Sequence, residues 1–76
     1  MTFLIRPGVP FYGRQLYARA LRAWRVAANL VWARWEALVE ATPEGRAGAF
    51  SEYIAALDAE ATAAAVLADL RPSQAA

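Results

Sequence analysis

The sequence predicts an all-α protein: an antiparallel helical hairpin with an extended apolar N-terminal arm, completed to a four-helix arrangement by dimerisation. Three observations carry that expectation. Tyr17, Leu21, Trp24, Ala28, Val31, Trp35 and Leu38 recur at alternating intervals of four and three, which is one continuous apolar seam on a long helix. Thr42-Pro43 and Pro72 stop the helical pattern at two well-separated points, because proline lacks a backbone N–H and disfavours helical geometry at the residue before it. All three tryptophans, at positions 24, 32 and 35, fall within that one seam-bearing stretch, more aromatic surface than a two-helix hairpin can bury.

Residues 1–13 read as the arm. Phe3-Leu4-Ile5 is a short apolar run that admits a short strand over residues 2–5. Arg6-Pro7-Gly8-Val9 fits a type II turn, with Pro fixing φ at the second position and Gly accepting positive φ at the third. Pro10 holds Val9 extended. Such an arm either folds Phe3, Ile5, Val9 and Phe11 over the helix end or reaches across to a partner chain, since apolar residues left in water are a liability.

The long helix is expected from about residue 14 to about 41. Its far stripe, Gln15, Arg19, Arg22, Val26, Asn29, Ala33, Glu36 and Glu40, is mostly polar or small. Thr42-Pro43-Glu44 ends it and also starts the next helix, with Thr as N-cap, Pro in the first position and an acid in the first turn. Gly45 and Gly48 weaken that start, and Ser51 offers a later one. The second helix is placed at about residues 43–71, with 72–76 as a flexible tail. Phe50, Tyr53, Ile54, Leu57, Ala61 and Ala64 share one of its faces, whereas Val66, Leu67 and Leu70 fall on another. The short connection implies antiparallel packing within a single domain.

Composition excludes several classes of function. A chain of 76 residues buries little and is marginal alone unless something staples it. Without cysteine there is no disulfide, thiol nucleophile or thiolate site, and without histidine the commonest metal ligand and general base are missing. Association with another chain is the staple that remains. Glu36, Glu40 and Glu44 make a weak acidic row but have no histidine to complete a carboxylate metal centre. Accordingly no catalytic, cofactor-binding or metal-ligating residue is predicted, and the protein is read as a non-enzyme.

The charges run against the helix dipole. Arg14, Arg19, Arg22 and Arg25 load the N-terminal half of the long helix, while Glu36 and Glu40 lie near its C-terminus, the reverse of what the macrodipole favours. Compensation is expected from Asp58, Glu60 and Asp69 beside the Arg-rich half and from Arg46 beside Glu36 or Glu40, or from the same complementarity in trans in an antiparallel homodimer.

The function expected is that of a small helical interaction or assembly module, acting as a homodimer or as an accessory subunit docked on a larger protein complex. The residues assigned to the protein interface are Trp32, Trp24, Trp35, Leu38, Val39, Phe3 and Ile5, with Trp24 and Trp35 also packing in the seam and Trp32 lying one step off it. A nucleic-acid-associated regulator is the alternative, with Arg14, Arg19, Arg22 and Arg25 contacting phosphates and Tyr17 and Trp24 stacking bases. A net charge of +1 and the absence of lysine weigh against it. Peripheral membrane association through a basic, aromatic helix is a further alternative. The charges at Arg22, Arg25, Arg34 and Glu36 interrupt the long helix and exclude a membrane span. No signal peptide is read in residues 1–13, so a cytoplasmic location is expected.

Overall fold

The computed structural model describes the backbone of residues 5–71 and the side chains of residues 13–71. Two helices, α1 (Ile5–Val39) and α2 (Arg46–Leu70), pack against each other as an antiparallel hairpin. At ~1.5 Å per residue they are rods of roughly 52 and 37 Å. The molecule measures 63 × 25 × 14 Å. Its thinnest dimension is little more than the ~10–12 Å diameter of one helix with its side chains, so the hairpin is a single layer. Its radius of gyration, 18.1 Å, compares with about 11 Å for a compact domain of this length.

The seam of α1 is the expected one. Tyr17, Leu21, Trp24, Ala28, Val31 and Leu38 are half-buried on the side that meets α2, together with Leu16 and Ala27. Trp35 lies at its edge, 43% exposed, with its ring 5.5 Å from that of Tyr53 and tilted by 53°, a geometry that contributes about 0.5–1.5 kcal/mol beyond area burial. The facing stripe on α2 is Ala49, Tyr53, Ala56, Glu60, Ala63 and Leu67, again spaced four and three. Small residues let the two backbones approach closely. They also limit what is gained, because a large apolar side chain contributes ~1.5–3 kcal/mol on full burial and alanine far less. Among the described residues only Ala20 and Ala56 are buried, and no large side chain is fully covered.

Glu60 occupies a seam position where the pattern calls for an apolar residue. Its carboxylate accepts a hydrogen bond from the Trp24 indole, Nε1 to Oε2, at 2.9 Å. A lone polar pair in an otherwise apolar seam fixes register at some expense of stability. Trp24 with Glu60, Arg34 with Glu52 and Trp35 with Tyr53 define one consistent antiparallel register. Extended to the open end, that register places Leu70 level with the region of Leu16. The α1 backbone from Ile5 to about Gln15 therefore runs on past the end of α2.

Two boundaries differ from the sequence expectation. Residues 5–13, expected as part of an extended arm, belong to α1. A type II turn over Arg6–Val9 is not formed: no glycine among the described residues has positive φ. Pro7 lies in the first turn, where N–H groups have no intrahelical acceptor anyway, so only Pro10 removes a ladder hydrogen bond, to the carbonyl of Arg6. Helix α2 starts at Arg46, not Pro43. Thr42 does cap the turn that precedes it: the Gly45 N–H donates to both Thr42 O, at 3.0 Å, and Thr42 Oγ1, at 3.2 Å. Residues 42–45 thus close a β-turn with Pro43 at its second position, and Gly45 becomes the N-cap of the regular helix. Residues 1–4 and 72–76, including Phe3, lie outside the described residues.

The expected compensation of the α1 charges within the hairpin is not found. Among the described residues the ion pair is Arg34–Glu52, at 3.5 Å, with neither partner from the sets proposed. Glu60 is engaged by Trp24 instead. Asp58 and Asp69 form no ion pair with the arginines of α1, and Arg46 forms none with Glu36 or Glu40. Exposed pairs contribute only ~0–1 kcal/mol and cost side-chain entropy, so nothing compels them to form.

Two outcomes follow for stability, both read by chemical denaturation at fixed protein concentration. Replacing Trp24 with Phe leaves the Glu60 carboxylate in the seam without its donor, and should cost about 1–3 kcal/mol. A Cβ added at Gly13 meets nothing within 4 Å, and the position is inside α1, so Gly13→Ala should stabilise by about 0.5–1 kcal/mol.

Candidate functional site

Because the hairpin is one layer, each broad side of it is open to solvent. The exposed large apolar residues divide between the two sides. On a wheel of 100° per residue, Trp32, Trp35 and Val39 of α1 lie on the same flank as Phe50 and Ile54 of α2. This is the aromatic face. Exposure there is high: 66% at Trp32, 62% at Val39 and 52% at Phe50. Near the closed end of the hairpin, Trp35, Leu38, Val39, Pro43, Arg46 and Phe50 line an open groove. A smaller recess beside it is formed by Val31, Trp32, Trp35 and Tyr53. The reverse face carries Val26, Leu30 and Val66, with an alanine-floored groove along Leu30, Ala55, Ala56 and Ala59 that is edged by the Arg34–Glu52 pair.

The total accessible surface is 5919 Å², against about 4600 Å² for a compact monomer of the same mass. The excess follows from the thin, elongated shape of the hairpin. Clustered exposure of large apolar residues, as at Trp32, Trp35, Val39, Phe50 and Ile54, marks an interaction surface.

The residues assigned to an interface from the sequence separate into three groups. Trp32, Trp35 and Val39 come together on the aromatic face. Trp24 and Leu38 are half-buried in the seam between the helices, and the Trp24 indole is already hydrogen-bonded. Phe3 lies outside the described residues, and Ile5 enters only as the first residue of α1. Phe50 and Ile54 are members of the face that the interface assignment omitted. The sequence groups them on one face with Tyr53, Leu57, Ala61 and Ala64, and the weak apolar contrast of the alanine stripe hides the true seam.

Arg14, Arg19, Arg22 and Arg25 are all exposed. They spread over roughly 140° of the helix at 100° per residue, and Tyr17 and Trp24, the aromatics grouped with them, are half-buried against α2. Among the described residues no cluster of three or more potential metal-ligating side chains exists, and no helix is long and apolar enough to cross a membrane. No protein family, curated protein or solved structure matches this chain.

Proposed function

We propose that the protein is a non-enzymatic helical interaction module that works by burying its aromatic face against another protein surface, by self-association into a four-helix arrangement. Docking as an accessory subunit on a larger complex would use the same residues. The observation that carries this reading is the exposed cluster of Trp32, Trp35, Val39, Phe50 and Ile54 on one side of a hairpin whose buried residues, among those described, are alanines. Tryptophan and phenylalanine supply large contact area at small entropic cost, and Trp leads among residues that dominate binding energy when truncated. A second layer of helices is the simplest way to give this chain the two-layer core that stable domains have.

Light scattering tests the reading. The wild-type protein should have twice the monomer mass at micromolar concentration. Trp32→Ala should weaken association by about 2 kcal/mol or more, the range of an interfacial hot spot. It should leave hairpin helicity by circular dichroism nearly unchanged, since the side chain is two-thirds exposed. A folded wild-type monomer at all concentrations excludes self-association and leaves only docking on a different protein. Tight binding to nucleic acid that falls steeply with salt would instead support a role for the arginines.

A further inference from the structure

Within that reading, the bulk on the aromatic face and the charge along the outer edge of α1 beside it specify the partner and its orientation. Along the outer flank of α1, Arg22, Arg25, Asn29, Trp32, Glu36 and Glu40 follow one another at intervals of three or four residues, so they form one row on the helix. The row is basic at one end, neutral in the middle and acidic at the other. None of its four charges has an ion-pair partner among the described residues, where the pair is Arg34–Glu52. Turned end for end, such a row is complementary to itself. A two-fold axis crossing α1 between residues 30 and 31 sets Arg22 against Glu40 of a second copy, Arg25 against Glu36, Leu21 against Val39, and Trp32 over the small Ala28 and the neighbouring Asn29.

A partly exposed apolar stripe of α2, in which Leu57 is half-buried, leads to the same axis independently. Phe50, Ile54, Leu57 and Ala61, on the same broad face, are spaced four, three and four. This stripe is self-complementary about a point between residues 55 and 56, which sets Ile54 against Leu57 of a second copy and the Phe50 ring against the small Ala61. The register within the hairpin brings those two levels together: Leu30 of α1 lines one groove with Ala55 and Ala56 of α2. Two stripes on two helices, one electrostatic and one apolar, therefore share one axis.

We infer that the aromatic face binds a second copy of this chain, layer on layer, with α1 antiparallel to α1 and α2 antiparallel to α2 about a two-fold axis at the level of residues 30–31 and 55–56. An isologous contact of this kind uses each complementary pair twice. It also supplies in trans the compensation for the charges of α1, which oppose the helix dipole: α1 has no acid in its first turn and no base in its last.

Charge exchange tests the geometry by solution mass. Arg25→Glu alone and Glu36→Arg alone each set like charges against each other twice per dimer, and each should raise the dissociation constant by on the order of tenfold or more. An equimolar mixture of these two variants restores both opposite-charge pairs and should associate, as should the single chain carrying R25E and E36R together, whose net charge is unchanged. Ala61→Arg, at an exposed position, should weaken association through the α2 stripe while leaving helicity intact. If the wild type dimerises but the single charge variants dimerise equally well, or the exchanged chain does not recover, this geometry is wrong and self-association through another surface stands. A wild-type protein that never dimerises overturns both.

Discussion

Two helices side by side form a slab 14 Å thick, and a side chain in such a slab can be covered from one direction only, by the helix beside it. Everything else in this structure depends on that limit. The residues that meet across the slab are held close by alanines, so the seam is narrow and only Ala20 and Ala56 are buried among the described residues. Tyr17, Leu21, Trp24, Val31, Leu57 and Leu67 are each half-covered. Their partial burial gives the hairpin its register but little surplus over the entropy of ordering the chain.

Within that narrow seam the Trp24–Glu60 hydrogen bond has a particular role. Alanine against alanine can slip by a turn at small cost, since each residue contributes little and neighbouring turns look alike. An indole N–H opposite a carboxylate cannot, because a shifted register leaves both polar groups in a partly dry seam without a partner. The pair, with the Trp35–Tyr53 contact, aligns the two helices, and that alignment decides which residues share each broad face. Trp32, Trp35 and Val39 lie beside Phe50 and Ile54 because of it.

The long helix was legible because tryptophan, tyrosine and leucine at four-three spacing stand out against arginine and glutamate. For the same reason the sequence already marked Trp32 as left over from the hairpin. The α2 seam was not legible in that way. Its stripe is built from alanines and a glutamate in a helix where alanine is everywhere, so the bulkier Phe50 and Ile54 drew the face assignment toward themselves, and Glu60 was grouped with surface acids. The start of α1 was obscured by Pro7, Gly8, Pro10 and Gly13, four residues that each argue against helix, although prolines near a helix start remove few hydrogen bonds. Thr42-Pro43 was recognised as a start signal, but the two glycines that follow turned it into a capped turn ahead of the helix. Pairing of charges within the hairpin was expected from proximity alone, and proximity is a poor guide where solvent screens each pair.

If this hairpin is half of a two-layer core completed by a second copy, its stability depends on protein concentration. Thermal unfolding followed by circular dichroism over a hundredfold range of protein concentration tests it most directly, because a folded state that is stabilised by association must melt at a temperature that rises with concentration. The midpoint should climb steadily across that range. A cooperative transition whose midpoint is independent of concentration would contradict it.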